Sequence, residues 1–529
     1  MEIGAKVCQA RVLGLAGAAG LGTAWTLSGF SEAKAWGAPA FSGDPFQLGV
    51  ASGDPEPDGV VLWTRLAPTP LAEDGRGGMP ELTVHVGWEV AEDERFRRIV
   101  VRGKQKATPE LGHSVHAEVT KLRPSRDYFY RFRAGDAVSP VGRTRTAPAG
   151  GAMPDELRFA FASCQNYPDG FYTAYQHMAQ ENLDVVVHLG DYIYEGSAQG
   201  SIGRGHLPAA EIFSLADYRI RHAQHKTDPD LRAAHAAFPW IVTWDDHEVE
   251  NNYADENSSD PDQSPEEFLQ RRALAYQAYY EHLPLRRSSL PHGPDLQLYR
   301  RVGYGQLAEF HVLDGRQYRS DQACGDGLVV PCEEAADPAR TMLGTAQERW
   351  LANGLAASKA RWQILANQAV MAEADRDPGP GKLLPMDNWN GYEPARQRLL
   401  DAVAERGVEN LVVITGDAHA SMVTDLKLNF DDPASTTVGA EFLGTSITSG
   451  GNGSAMDTRG QEWLAANPNM KYYSGLRGYV RCSVTDDEWR ADYRLVPFVR
   501  TPGAPVHTDA SFVVEAGHPG VQLDTSSAV

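Results

Sequence analysis

The sequence is poor in cysteine and in basic side chains. Its 529 residues include five cysteines, and 49 Lys and Arg stand against 70 Asp and Glu, which gives a formal net charge of −21. A chain with this charge is a poor electrostatic partner for nucleic acid or an anionic membrane. A site that handles phosphate groups in such a chain would need metal ions to supply its positive charge.

Long apolar runs are missing after residue 40, where no stretch approaches the roughly 18 residues of a membrane span, so we expect no transmembrane anchor. The first forty residues differ. Lys6 and Arg11 precede the apolar run VLGLAGAAGLGTAWTL, and two A-x-A arrangements follow between residues 33 and 40. This pattern is typical of an export signal over residues 1–40, with a buried N-terminal helix as the alternative. We therefore expect an exported protein, periplasmic or extracellular.

Several signature motifs are also missing. The chain has no P-loop, no G-x-S-x-G elbow and no G-x-G-x-x-G after a strand, so kinase chemistry and hydride transfer lose support. The segment HEVEN nearly matches the zincin motif H-E-x-x-H, but Asn251 stands where the second histidine is required.

The few cysteines have distinct surroundings. Cys324 and Cys332 bracket the loop CGDGLVVPC and are the natural disulfide pair in an oxidising compartment. Cys482 lies in an alternating segment that predicts a strand, and we expect it in the core. Cys164 follows an apolar strand and needs a separate explanation.

The composition divides the chain into two structural units. Residues 41–148 contain short alternating runs split by turn residues, which predicts an antiparallel sandwich. Its segment LRPSRDYFYRF resembles the tyrosine corner of fibronectin type III domains, with Tyr128 or Tyr130 as the corner ring. Residues 155–510 alternate strands with helices, which predicts an α/β domain, and residues 511–529 are expected to form a flexible tail.

The α/β region repeatedly ends an apolar run in a potential metal ligand. Because the carboxyl ends of strands meet in one crevice of an α/β fold, we expect these side chains to come together. Each has an ordinary structural interpretation when taken alone, as a turn, a cap or a buried core residue. The candidates are Cys164 in FASCQN, Asp191 and Tyr194 in HLGDYIYE, Asp246 and His247 in TWDDHE, Asn367 in LANQ, and Asp417 and His419 in TGDAHAS.

One of these strand ends, WDDHEVENN, carries four carboxylates and no Lys or Arg. Such carboxylates either extend into water or are gathered by a cation. Oxygen ligands with one thiolate, one phenolate and one imidazole suit iron(III) together with calcium or another oxygen-binding ion, whereas structural zinc requires clustered Cys and His.

The motif order GDYIY, WDDHE, NQ and GDAHAS, with FASCQ before it and GVASGDPEPDGVVLWTRL near the N-terminus, resembles the PhoD-type alkaline phosphatase family. The resemblance covers about Phe46 to beyond Val496. It implies a four-layer metallophosphoesterase-like α/β sandwich preceded by a fibronectin type III-like β-sandwich, with iron(III) and calcium as cofactors, where the calcium sites could accept another divalent ion.

The resemblance also implies roles for individual residues. Cys164, Asp191, Tyr194 and His419 would hold iron, and Asp191 would bridge to a second site. Asp246, Asn367 and Asp417 would form that second site. Asp245 and Asn251 are further candidates as ligands or substrate contacts, and His247 is the candidate acid or electrostatic stabiliser near the leaving group.

The predicted function is hydrolysis of small-molecule phosphomonoesters and phosphodiesters at alkaline pH, with water activated by the metals. A phospholipase D-like phosphodiesterase is one alternative. Another alternative is a non-catalytic exported binding protein, in which the N-terminal sandwich binds a partner and the α/β domain is inactive. The sequence predicts neither the natural substrate nor the oligomeric state.

Overall fold

The computed structural model describes residues 40–524, so most of the expected export signal lies outside the described residues. The strands are β1 Val50–Glu56, β2 Gly59–Arg65, β3 Val84–Ala91, β4 Ile99–Ala107, β5 Ser114–Val119, β6 Asp127–Ala134, β7 Ala137–Val138, β8 Gly142–Arg145, β9 Leu157–Ala162, β10 Val185–His188, β11 Pro239–Val242, β12 Arg300–Tyr304, β13 Ala308–Val312, β14 Leu328–Val329, β15 Trp362–Ala366, β16 Leu384–Pro385, β17 Leu411–Thr415, β18 Ser421–Lys427, β19 Thr437–Leu443, β20 Met470–Ser474, β21 Arg477–Val484, β22 Glu488–Val496, β23 His507–Glu515 and β24 His518–Leu523.

Within residues 40–524 the α-helices all follow β9, which agrees with the change of pattern in the sequence. Local signals explain where some of them begin; the longest, for example, starts at a capping box formed by Ser264 and Glu267. The helices are α1 Thr173–Met178, α2 Leu215–Lys226, α3 Pro229–Ala237, α4 Pro265–His282, α5 Gly344–Ala357, α6 Glu393–Glu405 and α7 Thr458–Ala466. None of these helices is long and apolar enough to cross a membrane.

Two mixed sheets form the centre of the molecule. One has ten strands in the order β24-β23-β22-β21-β9-β10-β11-β1-β2-β5, and the other has seven in the order β12-β13-β15-β17-β19-β18-β20. Phe159 and Val187 of the first sheet pack with Phe310, Ile414 and Phe442 of the second in one buried cluster. Strands such as β10 and β17 are buried along their whole length, which explains their continuous apolar sequences.

Helices cover the outer faces of both sheets. Trp240 and Val242 on the outer face of the ten-stranded sheet pack with residues of α1 to α4. Leu365 and Val413 of the seven-stranded sheet pack with residues of α5 and α6. The order helix, sheet, sheet, helix therefore accounts for the apolar runs and the amphipathic segments of residues 157–515 together.

The N-terminal strands form a second packing unit that shares a sheet with the first. β1, β2 and β5 face a five-stranded sheet that contains β3, β4, β6, β7 and β8. The Tyr128 hydroxyl accepts a hydrogen bond from the Arg123 amide at 3.0 Å, five positions earlier in the chain. β1 also pairs in parallel with β11, with Ser52 opposite Pro239. The ten-stranded sheet therefore continues across the boundary expected between residues 148 and 155.

The expected flexible tail over residues 511–529 is wrong as far as residue 524. β23 and β24 extend the ten-stranded sheet as its last antiparallel strands. Phe512, Val514 and Val521 are 2–4% exposed and belong to the core between the two sheets. The segment looked loose because most other residues of β23 and β24 are exposed.

The cysteine predictions agree with the structure. Cys324 and Cys332 form a disulfide bond, with their Cα atoms 5.9 Å apart. Cys482 is buried in β21. Cys164 is buried directly after β9 and has no disulfide partner.

Candidate metal centre

The predicted strand ends meet at one edge of the two stacked sheets. Cys164, Asp191, Asp417 and His419 all have left-handed backbone conformations, with φ between 53° and 65°. This conformation is uncommon for residues other than glycine and is found preferentially at functional sites. It turns the chain sharply after each strand.

Gly190 allows two of these strand ends to approach each other. Its φ is 109°, and a Cβ atom built on it would lie 2.4 Å from the Cβ atom of Asp245. Glu248 then joins the same two segments, because its carboxylate accepts hydrogen bonds from the amides of Asp191, Tyr192 and Asp245 at 2.7–3.1 Å. The two acidic strand ends are therefore fixed relative to each other.

Cys164, Asp191 and His419 form the first cluster. One ligand atom of each lies within 4.8 Å of the other two. The Tyr194 hydroxyl donates to Asp191 Oδ2 at 2.8 Å and lies 3.0 Å from His419 Nε2. A thiol, a carboxylate, a phenol and an imidazole are thus brought together from three strand ends, as the sequence predicted.

Asp191 also belongs to the second cluster, with Asp246 and His247. Asp246 Oδ2 accepts a hydrogen bond from the Asn252 amide at 2.7 Å. Burial would raise the pKa of Asp246, but the nearby charges of Arg316 and His247 outweigh burial and hold this pKa below its usual value. Asp191 is therefore positioned to bridge two neighbouring sites.

Arg316 lies among the carboxylates that the sequence left without a counter-charge. Its fully buried guanidinium bonds Asp245 Oδ1 at 2.5 Å and Asp387 Oδ2 at 2.9 Å. It also lies 3.7 Å from Asp246 and 4.0 Å from Asp417. Burial nevertheless raises the pKa of Asp245 and of Asp417 above the usual value. One guanidinium does not neutralise this group.

His247 is held by a carboxylate that the sequence analysis missed. Its Nδ1 lies 2.7 Å from Glu195 Oε2, and its ring centroid lies 4.2 Å from that of Tyr194. Burial alone would lower the pKa of His247, but the charges of Glu195, Asp246 and Asp191 outweigh burial and hold it well above its usual value. The ring therefore favours its protonated form.

Three predicted residues have surroundings that refine their roles. Asp245 is 0% exposed, so its burial favours a ligand role over direct contact with substrate. Asn251 is exposed, and its amide donates to Glu195 Oε1 at 2.8 Å. Asn367 is buried, and its side-chain oxygen accepts a hydrogen bond from Trp389 Nε1 at 3.1 Å. Its amide group also donates to the carbonyl of Ala369.

The supporting residues Arg316, Glu195 and Glu248 were not identified from the sequence. Arg316 follows β13 in FHVLDGRQ, so it is a further polar strand end that the pattern could have included. Glu195 and Glu248 stand beside predicted ligands, but their roles depend on contacts with residues 52–57 positions away. Glu250, the fourth carboxylate of WDDHEVENN, pairs with Arg271 at 2.7 Å.

The residues present fit a metal centre. Asp191 Oδ1 and Asp245 Oδ2 are buried oxygens with no hydrogen-bond partner within the described chain. A buried carboxylate oxygen without a partner is costly unless a cation binds it. Burial also raises the pKa of the Cys164 thiol and the Tyr194 phenol, and a bound cation would reverse this preference by stabilising their deprotonated forms.

Comparisons with known proteins agree on one family. The family model described as PhoD-like phosphatase matches residues 159–493, and the model for the N-terminal domain of PhoD-like phosphatases matches residues 31–148. Alkaline phosphatase D of Bacillus subtilis (strain 168) is 52% identical over 496 residues, which cover 93% of this chain and 84% of that protein. The solved structure described as "Structure of PhoD" matches with a TM-score of 0.90 and 53% identity, over 93% of this chain and 94% of the other.

Proposed function

The chain belongs to the PhoD-like phosphatase family, which hydrolyses phosphoric esters, and we propose that it does so with iron(III) and calcium at the clustered strand ends. The observation that carries this proposal is the cluster of Cys164, Asp191, Tyr194 and His419 beside the buried, unpartnered oxygen Asp191 Oδ1. The non-catalytic alternative loses its support, because the chain is related to hydrolases over nearly its whole length.

The proposed assignment of ligands follows the two clusters. Cys164, Tyr194 and His419 would hold iron(III), since thiolate and phenolate donors suit that ion. Asp246, Asp417 and Asn367 would hold calcium or another divalent ion, and Asp191 would bridge the two sites. Asp245 joins the proposed calcium ligands, because its Oδ2 is a buried oxygen without a hydrogen-bond partner within the described chain. When bound, the cations would supply positive charge to the phosphoryl oxygens and lower the pKa of water.

His247 is the proposed proton donor. Water forms a new bond to phosphorus while the bond from phosphorus to the leaving oxygen breaks, and the leaving oxygen needs a proton. Nδ1 of His247 is hydrogen-bonded to Glu195 Oε2, so Nε2 is the nitrogen available to the leaving group. The acidic surroundings that keep His247 protonated suit this role at alkaline pH.

The proposal also includes the architecture and the location of the protein. The layers of residues 157–515 support a four-layer metallophosphoesterase sandwich, and the Tyr128 corner supports a fibronectin type III-like N-terminal unit. Export is supported by the pattern of residues 1–40 and by the disulfide between Cys324 and Cys332, since such bonds persist in oxidising compartments.

A paired-substrate assay tests the activity and its metal dependence. The purified chain without residues 1–40 is given a chromogenic phosphomonoester and a chromogenic phosphodiester at alkaline pH with calcium, with and without a chelator. We expect cleavage that the chelator stops, and the preferred ester decides between phosphatase and phosphodiesterase. Failure of metal-loaded protein to cleave either ester would refute the proposal.

An Asp191→Asn variant tests the site assignment. We expect loss of both activity and bound metal, measured by elemental analysis, because Asp191 belongs to both clusters. Asp136→Asn is the matched control, since Asp136 lies exposed in the N-terminal unit. Unchanged turnover and metal content in Asp191→Asn would show that the metal lies elsewhere.

A further inference from the structure

We propose that Arg459, Arg477 and Arg500 form an anion subsite beside the metal centre, which binds a second negatively charged group of the substrate. The inference rests on the proposed function, because it takes the phosphoester site as its starting point and adds the class of substrate that this site prefers. The three residues are called the arginine trio below.

The glycine-rich segment SGGNG at residues 449–453 connects the arginine trio to the predicted ligands. Ser449 Oγ donates to the Tyr194 hydroxyl oxygen at 2.7 Å. Arg477 joins the glycine-rich segment to the segment that carries His419. Its Nε donates to the carbonyl of Gly451 at 2.8 Å, and its Nη1 donates to the carbonyl of His419 at 2.7 Å. The Arg477 guanidinium is therefore held directly behind the first cluster.

Two glycines of this segment make room for the guanidinium groups of Arg477, which is 5% exposed, and of Arg500, which is exposed. Gly450 and Gly451 have φ values of 83° and 68°. A Cβ atom on Gly450 would lie 2.8 Å from Arg477 Nη2, and one on Gly451 would lie 2.8 Å from Arg500 Nε. Any other residue at these positions would be strained and would press its side chain against the arginines.

Arg459 completes the trio from the first turn of α7. Its guanidinium carbon lies 5.0 Å from the centroid of the Trp463 ring, which orients it. Asp457, two residues before Arg459, accepts a hydrogen bond from the Tyr473 hydroxyl at 2.7 Å, and a Cβ atom on Gly475 would lie 3.6 Å from Asp457 Oδ2, so the start of α7 lies beside the segment that leads to Arg477.

The positive charge of the trio is not cancelled by ion pairs. Across residues 40–524, no carboxylate forms an ion pair within 4.0 Å with Arg459, Arg477 or Arg500, whereas Arg316 and Arg319 are both paired. Two acids of the neighbouring loops hold backbone and side-chain donors instead: Asp169 accepts from the Gly450 amide at 2.8 Å, and Asp457 accepts from the Gly460 amide and the Tyr473 hydroxyl.

The chemistry of the trio selects the ligand. Guanidinium groups bind phosphate and carboxylate oxygens through paired hydrogen bonds. In a chain of net charge −21, an uncancelled group of arginines is also the place where anions concentrate. Because the trio adjoins the phosphoester site, the substrate class it fits is a phosphoester whose retained alcohol carries a further phosphate, phosphonate or carboxylate.

Two matched diesters test the subsite. Both release p-nitrophenol, and the retained group is propyl in one and 3-phosphonopropyl in the other. We expect the wild-type enzyme to have a higher kcat/KM for the phosphonate-bearing ester. Arg459→Gln and Arg500→Gln should each reduce this preference by about tenfold, and the double variant by at least as much, because each change removes charge-assisted hydrogen bonds to the second anion. The kcat/KM for the propyl ester should change by less than about twofold.

The control is Arg102→Gln, because Arg102 is exposed on β4 in the N-terminal unit. It should leave both values unchanged. A wild-type enzyme without the preference, or a double variant that keeps it, overturns the subsite. If neither ester is cleaved, the proposed function fails separately. In that case, calorimetry measures the affinity of metal-loaded wild type and double variant for propane-1,3-diphosphonate. An affinity about tenfold lower in the double variant supports the subsite, and equal affinity refutes it.

Discussion

At the scale of single residues, Arg316 changes the interpretation of the crowded carboxylates in WDDHEVENN. The sequence left two alternatives for them, which were exposure to water or binding of a cation. A guanidinium group 71 positions away in the sequence neutralises part of their negative charge, so the carboxylates are neither all exposed to water nor dependent on a metal ion alone. The sequence could predict that Asp245 and Asp246 needed positive charge. It could not predict Arg316 as a source of it, because the pairing depends on how β11 and β13 meet in space.

Arg316→Met should strongly destabilise the metal-free protein. The change leaves the fully buried carboxylate of Asp245 without its guanidinium, and removing one partner of a buried pair costs about 3–5 kcal/mol. Urea unfolding in chelator measures the loss, and added calcium should recover part of it. Arg349→Met, at an exposed position, is the control. Equal stability of the two variants would mean that Arg316 does not hold the carboxylate group together.

Glu195→Gln should move the alkaline limb of the kcat profile to lower pH. Glu195 is the largest influence that raises the pKa of His247, so its loss lowers that pKa and fewer His247 rings carry a proton at alkaline pH. A proton donor is active below its pKa, so turnover should fall earlier as pH rises. The measurement is kcat against pH in wild type, Glu195→Gln and Glu195→Asp, where the aspartate should restore part of the shift. Identical profiles would remove His247 from the role of acid.

At the scale of elements, the sequence was informative where strands are buried on both faces and uninformative at the sheet edge. The continuous apolar runs of β10, β11 and β17 marked parallel strands, and their polar ends then had to converge. β23 and β24 bury only alternate residues along part of their length, so their pattern was weak. The parallel pairing of β1 with β11 joins segments nearly two hundred positions apart, and no local pattern encodes it.

Phe512→Ala tests whether β23 is a structural strand. Phe512 is 2% exposed, and its ring lies 5.4 Å from that of Tyr472 and 6.0 Å from that of Tyr493. Truncating a buried phenylalanine typically costs about 3–5 kcal/mol, so the urea midpoint should fall clearly. Gln522→Ala on β24 is exposed and should stay within about 0.5 kcal/mol of wild type. A Phe512→Ala variant as stable as Gln522→Ala would restore the interpretation of a loose tail.

At the scale of the whole molecule, the structure buries a group of its histidines although the chain is strongly acidic. Burial lowers the pKa of a group of histidines packed around α2, α3 and α4, so that they remain neutral in the folded protein; they are His116, His188, His206, His222, His225, His235 and His282. Both ring nitrogens of His222 lack hydrogen-bond partners within the described residues. The composition does not predict these buried neutral histidines, because it gives the number of histidines and not which of them are buried.

These histidines should make the protein sensitive to acid. An unfolded histidine binds a proton below about pH 6.5, whereas the folded rings stay neutral to lower pH, to about 4 for His116 and about 3 for His188. The unfolded chain thus binds more protons in this window, so stability is fully present above about pH 6.5 and falls as pH decreases. Each ring contributes about 1.4 kcal/mol per pH unit within the window.

Urea midpoints measured in chelator between pH 8 and pH 5 test this prediction without interference from metal release. We expect a steep loss below about pH 6.5. His222→Phe should flatten the slope, because one buried ring that must remain neutral is removed, whereas His518→Gln at an exposed position should not. A slope that His222→Phe leaves unchanged would assign the acid sensitivity to the carboxylates of the metal centre instead. The histidine contribution to stability is complete throughout the alkaline range in which phosphoesterase activity is expected.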